Sequence, residues 1–364
     1  MTAGRIPFLS LQPGEDADAT NAAIRRVLNR GRFILGPEVQ GFEQEFAIAS
    51  RLAHTVGVAN GTEALYLLLR GLGIGRGDEV ITTSLSTGFT AMAVVMSGAT
   101  PVFADIEADR LTLDPSAIQS VISPRTAAIL PVHIYGQPAD MPAIAQTAAR
   151  HNLAVIEDCC QAHLAQCQER PVGAFGHGGA FSFYPTKNLG AMGDGGAVCT
   201  NDAALADRIR RLRNGGLSTP SYHELVGVNS RLDEIQAAVL RARLPFLSQW
   251  TERRRALAVR YREALPGAAV AVPAELDPGH VYHLFPIRSE ERKNLQNHLQ
   301  ASGIETKIHY PMPLPRQPAF ADYKPAESPV ADTVCREIVS LPLNPTLTDA
   351  AVDRVIAAVC AFTR

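Results

Sequence analysis

The chain has 364 residues, 46% of them hydrophobic and 19% charged, with a formal net charge of −2 and a pI near 6.6. It is long enough to bury a sizeable core and has room for roughly two domains. Its near-neutral balance offers no basic field to nucleic acid or to an anionic membrane surface, so neither is expected as a partner.

The opening stretch, "MTAGRIPFLSLQPGEDADAT", carries a single early arginine, a short apolar run and then acids. That is unlike a signal peptide, and a cytoplasmic location is expected. The longest uncharged run, from Val80 to Ala104, is interrupted by Gly88, Gly98 and Pro101 and reads as buried core rather than a membrane span. The six cysteines contain no CxxC pair, and Cys159, Cys160 and Cys167 fit no zinc spacing. No metal is expected, and the cysteines read as small buried hydrophobes.

Strands and helices then alternate along the chain. "HTVGVAN" (54–60) reads as a strand and "EALYLLLRGL" (63–72) as a helix apolar nearly all round. "DEVITTS" (78–84) is a strand and "FTAMAVVMSG" (89–98) a helix closed by Gly98. "TPVFADI", "TAAILPVH" and "LAVIED" continue the strands, with "DPSAIQSVI" and "DMPAIAQTAARHN" as helices between them. "GAFSFY" and "GAVCT" are further strands, "DAALADRIRRLRN" a helix, and residues 230–265 one long helix. This βαβα order implies an α/β fold with a largely parallel sheet covered on both faces. Residues 266–330 are richer in proline with short strands such as "HLFPIR". A boundary is therefore expected near residue 245, dividing a large unit (1–245) from a smaller α+β unit (246–364).

Ligands of open parallel sheets bind beyond the carboxyl ends of the strands, and several strand exits here carry chemistry. Asn60-Gly61-Thr62 lies where a strand meets a buried helix, so its backbone N–H groups either receive a phosphate or form a plain turn with Thr62 as N-cap. The alternating glycines of "GLGIGRG" follow a helix and precede a strand, the reverse of a dinucleotide-binding order, and read as a loop. Asp158 ends an apolar strand, where it either meets a cation or strong donor or, with Glu157, caps the next segment. Gln161 and His163 follow it.

Lysine occurs only at 187, 293, 307 and 324 among 34 Lys plus Arg. Across the first 292 residues Lys187 is thus the one cation that is not arginine. A partly desolvated lysine can lose its proton and attack a carbonyl, whereas arginine stays protonated. Lys187 stands in "FSFYPTKNLGAMGDGGAV", followed by Gly190, Gly193, Gly195 and Gly196, which would let a bulky substrate approach. A phosphate-ready helix start, a strand-end aspartate and an isolated lysine together make the parts list for pyridoxal phosphate. They would respectively hold the phosphate, the pyridinium nitrogen and the aldehyde.

The stretches "FILGPEVQGFEQEFA", "GVANGTEAL", "VHIYGQPADM", "VIEDCCQAH", "FSFYPTKNLGAMGDGGAV" and "NSRLDEIQAAVL" resemble the DegT/StrS family of sugar aminotransferases. The similarity runs nearly end to end, closest to enzymes that aminate 3-keto intermediates of nucleotide-linked deoxysugars. The resemblance implies the fold type I aminotransferase architecture, a large domain with a mainly parallel mixed sheet and a smaller C-terminal domain. It implies pyridoxal 5'-phosphate as cofactor, Lys187 as Schiff-base lysine and general acid/base, Asp158 on the pyridine nitrogen, and Gln161 against the ring and its phenolic oxygen. Gly61, Thr62 and Ser182 would hold the phosphate, with Asn229 reaching the phosphate of a neighbouring subunit in a homodimer whose active sites lie at the subunit interface. His309 and Tyr310 would overlook the substrate.

Departures from the family pattern are Thr87, where an aromatic often stacks on the ring and Phe89 stands two places later, Pro220-Ser221 in place of Lys-Tyr, and Pro315 in place of a histidine. All are expected on the cofactor or substrate side. The implied reaction moves the amino group of L-glutamate or glutamine to a keto sugar, foremost a dTDP-linked 3-keto-6-deoxyhexose. A 4-keto nucleotide sugar or a keto-cyclitol is the alternative acceptor, and a non-catalytic cofactor-binding regulator the alternative class.

Overall fold

The computed structural model describes residues 4–12, 14–323 and 327–363. Its centre is a seven-stranded sheet in the order β1-β9-β8-β5-β4-β2-β3. These strands are β1 (His54–Val58), β2 (Glu79–Thr83), β3 (Thr100–Ala104), β4 (Thr126–Leu130), β5 (Ala154–Asp158), β8 (Gly178–Ser182) and β9 (Gly196–Thr200). Two short strands, β6 (Gln166–Cys167) and β7 (Arg170–Pro171), form a separate ribbon between β5 and β8. β2 pairs in parallel with β3 and β4, β4 with β5, and β5 with β8, while β9 runs against both neighbours. The expected mainly parallel, mixed α/β sheet is therefore present.

Alternate side chains of each strand go to opposite faces. Val80, Leu130, Ile156 and Val198 pack with α3 (Gly61–Gly71) and α4 (Gly88–Ser97) on one face. Ile81, Ile129 and Val155 pack with α5 (Pro115–Val121) and α6 (Met141–His151) on the other. Both faces are covered, which explains why these strands read as unbroken apolar runs. α7 (Ala203–Leu212) closes the α3 side through Leu205, Ile209 and Leu212.

Three features depart from the sequence reading. Residues 17–50, to which that reading assigns no element, form α1 (Ala17–Arg30) and α2 (Pro37–Ser50). The start of α2 lacks a local side-chain cap; instead the buried Glu234 carboxylate accepts from Gly36 N at 2.9 Å, Glu38 N at 3.0 Å and Val39 N at 2.7 Å. The expected single helix over 230–265 is broken into α8 (Glu234–Arg243) and α9 (Leu247–Ala264) by a 3-10 turn at Leu244–Phe246. Pro245 is the physical reason, since it removes a backbone donor and its ring crowds the preceding turn.

After an exposed ribbon of β10 (Leu217–Thr219) and β11 (Tyr222–His223) and the helices α8 and α9, the C-terminal part has its own apolar cluster. It combines Tyr261 of α9 with β12 (Phe285–Arg288), α10 (Arg292–Ala301), β13 (Ile338–Leu341) and α12 (Asp349–Ala361), and also takes in Ile6. α11 (Pro329–Glu337) instead joins the cluster of the main sheet through Val334. No helix among the described residues is long and apolar enough to cross a membrane.

Candidate active site

The carboxyl edge of the sheet opens into a cavity of about 670 Å³, lined among others by Gly61, Thr62, Asp158, Gln161, Ser182, Lys187 and Tyr310. These residues come from separate strand exits, so the fold, not sequence proximity, brings them together. Asn60 caps α3, its Oδ1 accepting from Glu63 N at 2.9 Å. Thr62 is thereby not the N-cap that one reading of the turn allowed. It sits in the first turn beside Gly61, where backbone N–H groups lack intrahelical partners and the helix dipole is positive. A Cβ on Gly61 would lie 2.6 Å from Cys160 Sγ and 2.8 Å from Ser182 Cβ, so only glycine lets the helix start approach Ser182 this closely.

Asp158 is 3% exposed at the end of β5. Its Oδ2 accepts from Thr90 Oγ at 2.8 Å and its Oδ1 from Cys160 N at 3.1 Å. It thus both meets a strong donor and caps the following segment. Its neighbour Glu157 points to the opposite face and is wholly structural, accepting from Gly173, Phe175 and Gly176 N and from His133 Nε2. His133, Glu157 and Cys159 form a compact buried trio, but these bonds occupy the carboxylate, and His133 Nδ1 accepts from Ala139 N at 3.0 Å. The trio is a packing device.

Lys187 lies on the loop after β8, its backbone N–H donating to Tyr184 O at 2.8 Å. Its ammonium makes no ion pair or hydrogen bond with any described residue. Burial holds its pKa below the ordinary lysine value, with the charge of Asp158 among the weaker opposing effects. This is the environment in which an amine becomes a nucleophile or a proton carrier at moderate pH.

Gln161 is pinned on both sides: Oε1 accepts from Tyr135 N at 2.7 Å and Nε2 donates to the Tyr310 hydroxyl at 3.0 Å. The Tyr135 hydroxyl in turn donates to the His309 carbonyl, and His309 Nδ1 meets Ser340 Oγ at 2.9 Å. Burial raises Tyr310 to about 12 and lowers His309 to about 4. Tyr310 lines the main cavity, whereas His309 faces a smaller one of about 350 Å³ that also reaches Lys187. His163 donates from Nε2 to the Ser182 carbonyl at 2.9 Å, and burial keeps it neutral with a pKa of about 3.

Asn229 is not in the cavity of its own chain. It is exposed, held by a backbone bridge to Asn214. Thr87 and Phe89 both line the main cavity, with Phe89 60% exposed. Pro220 and Ser221 form the exposed turn between β10 and β11. Pro315 is buried next to Leu314, whose cluster includes Phe103 and Phe320. The glycines after Lys187 serve the chain itself rather than a guest. A Cβ on Gly190 would strike the Pro185 carbonyl at 2.5 Å and one on Gly196 the Asn60 backbone at 2.3 Å. Thr90, Tyr135 and Tyr184 are site residues that sequence reasoning does not single out. Thr90 and Tyr135 are placed by tertiary pairing with Asp158 and Gln161 rather than by any local motif.

The residues present fit pyridoxal phosphate. An unpaired half-buried lysine, a buried strand-end carboxylate and an open helix start around a glycine that tolerates no Cβ converge on one cavity.

The DegT/DnrJ/EryC1/StrS aminotransferase family profile matches residues 15–360. The dTDP-3-amino-3,4,6-trideoxy-alpha-D-glucose transaminase of Streptomyces venezuelae is 50% identical over 98% of this chain and 95% of its own. The crystal structure of S. venezuelae DesV in complex with a ketimine intermediate superposes with a TM-score of 0.95 at 49% identity, covering 98% of each chain. NtdA of Bacillus subtilis, with bound cofactor PMP, superposes at 0.92 with 30% identity over 98% of this chain and 85% of its own. A match of that extent, on a site of this composition, places the chain in the DegT/DnrJ/EryC1/StrS aminotransferase family.

Proposed function

We propose that this aminotransferase uses pyridoxal 5'-phosphate to move the amino group of L-glutamate or glutamine onto a nucleotide-linked keto sugar, foremost a dTDP-linked 3-keto-6-deoxyhexose. The observation that carries the reading is the unpaired, pKa-lowered Lys187 in one cavity with Asp158 and the open start of α3. The 50% identity to a dTDP-amino-sugar transaminase supports the sugar assignment.

When bound, the cofactor supplies an aldehyde for amine capture and a ring that withdraws electrons from the reacting carbon. The chain's own residues do the rest. Gly61 and Thr62 N–H groups with the Ser182 hydroxyl would hold the phosphate, and Asp158, oriented by Thr90 Oγ and Cys160 N, would pair with the pyridine nitrogen. Gln161, locked between Tyr135 and Tyr310, orients the ring edge. Lys187 would take up the proton released at the reacting carbon and return it within each half-reaction.

In this reading residues 1–245 form the cofactor-binding unit and 246–364 the smaller unit that brings His309 and Tyr310 over the substrate. The protein acts in the cytoplasm as a homodimer, with Asn229 reaching the phosphate site of the partner. The exposed apolar side chains Phe89, Met92, Met96 and Tyr184 at the cavity mouth support such a cover.

The test is a panel of 3-keto and 4-keto nucleotide sugars and keto-cyclitols, each offered to the cofactor-loaded protein with L-glutamate. The dTDP-linked 3-keto-6-deoxyhexose is expected to turn over fastest by kcat/KM. Preference for a cyclitol would overturn the sugar assignment.

A further inference from the structure

The smaller cavity, of about 350 Å³, brings two unpartnered groups together. Lys187 and His283 both line it, and the lysine ammonium has no partner among the described residues. His283 is 7% exposed. Its Nδ1 meets Asn188 Oδ1 at 3.2 Å, while the buried Asn188 donates from Nδ2 to the Val281 carbonyl at 3.0 Å. A carbonyl can only accept, so the amide nitrogen of Asn188 faces Val281 and its oxygen faces the ring. His283 therefore carries its proton on Nδ1. Burial, with the charges of Lys187 and Arg254 adding to it, holds the ring well below the ordinary value of 6.5, so the imidazole is neutral. Nε2 is left as a bare acceptor, and it makes no hydrogen bond with any described residue.

The acid and the phenol of this cavity are committed elsewhere. Glu305 is engaged by Arg5 and by Phe8 N at 2.9 Å, and the Tyr310 hydroxyl accepts from Gln161 Nε2. His309 Nδ1 meets Ser340 Oγ, a hydroxyl that can donate or accept, so that partner does not fix which of its nitrogens is bare. Lys187 reaches both this cavity and the main one, and Asn188, which fixes the His283 ring, is its neighbour in the chain. A neutral imidazole steers an amine without the negative charge that would hold it as an ammonium ion. Asp158, whose charge raises the lysine pKa, would do the opposite and would itself be drawn away from the cofactor ring.

We infer that His283 is a positioning residue for Lys187: its Nε2 accepts a hydrogen bond from the lysine nitrogen whenever that nitrogen is not joined to the cofactor, holding it in the smaller cavity and off Asp158. The inference rests on the pyridoxal phosphate reading for when Lys187 is free. It gives the lysine a defined place between the two half-reactions.

The direct test is a crystal structure of the wild-type protein loaded with pyridoxamine 5'-phosphate, which has no aldehyde to capture Lys187. Lys187 Nζ is expected about 3 Å from His283 Nε2. Nζ on Asp158, or turned away from His283, overturns the assignment and leaves the cofactor reading intact. Failure to bind pyridoxamine phosphate overturns both.

Two substitutions separate the cavity nitrogen of His283 from the structural one. His283→Asn can still donate to Asn188 Oδ1 but has nothing at the place of Nε2. His283→Gln loses that donor and can set an amide oxygen near the place of Nε2. We expect kcat to fall about tenfold in His283→Asn and to recover to within about threefold of wild type in His283→Gln, with KM for L-glutamate and for the keto sugar within about twofold throughout. The urea midpoint should run the other way, with His283→Gln the less stable. A glutamine variant as impaired in kcat as the asparagine one, or no loss of kcat in either, would leave His283 a purely structural role and overturn the inference.

Discussion

Lys187 and Gly61 show how a single atom count decides what a position can do. Arginine at 187 would preserve charge but cannot give up its proton; the proposed role of Lys187 therefore requires lysine in a chain with arginine at nearly every other cationic position. Gly61 is the reverse case, chosen for what it lacks. Gly61→Ala would press a methyl group against Cys160 and Ser182, an overpacking that costs about 1–3 kcal/mol. We expect roughly tenfold weaker pyridoxal phosphate binding by equilibrium dialysis. An alanine variant with wild-type affinity would contradict the proposed phosphate site.

At the scale of elements, the site is a set of strand and helix ends held at fixed separations by distant side chains. Glu234 opens α8 while closing the start of α2 almost two hundred positions earlier. Glu234→Gln replaces a charged acceptor of three N–H bonds with a neutral amide that has one acceptor oxygen. A loss of about 1.5–3 kcal/mol is expected, read as a lower urea midpoint; an unchanged midpoint would show that α2 holds without it.

The same example explains which elements can be read from the chain. The strands of the parallel sheet and α3 through α7 are legible because each is an apolar block of the right length between turn signals. α1 and α2 are not, since α2 borrows its cap from Glu234 and α1 buries only a narrow stripe of Thr20, Ala23 and Val27. Pro245 is the local signal that divides the helix over 230–265. At the site, Lys187, Asp158 and the 60–62 turn announce themselves by type and place. Thr90 and Tyr135 act through partners set by the tertiary fold, which no local pattern reports.

For the whole molecule, burial of histidine sets the response to acid. His163 titrates at about 3 and His309 at about 4, and His280 and His283 lie well below the ordinary value of 6.5, in each case chiefly through burial. The unfolded chain therefore binds more protons than the folded one from pH 6.5 down to those values. Stability is fully present above pH 6.5 and is lost as pH falls, by about 1.4 kcal/mol per histidine per pH unit. Urea unfolding at pH 7 and pH 5 should show a clear drop at pH 5. A flat profile would mean that these rings are hydrated or paired in solution.

The proposed dimer makes a sharper demand. If Asn229 serves the partner's site, Lys187→Ala and Asn229→Ala chains are each impaired alone. Mixed dimers then contain one doubly defective site and one intact site. Refolding the two variants together should restore activity, and absence of rescue would return Asn229 to its own subunit. The central claim, that Lys187 drives amino transfer to a nucleotide-linked keto sugar, is tested most directly with ¹⁵N-labelled L-glutamate, pyridoxal phosphate and the dTDP-linked 3-keto-6-deoxyhexose, followed by mass spectrometry of the sugar product. The account predicts ¹⁵N in the amino sugar made by the wild type, and at least about a thousandfold less with Lys187→Arg. Unlabelled sugar from the cofactor-loaded wild type, or full labelling by Lys187→Arg, would contradict it.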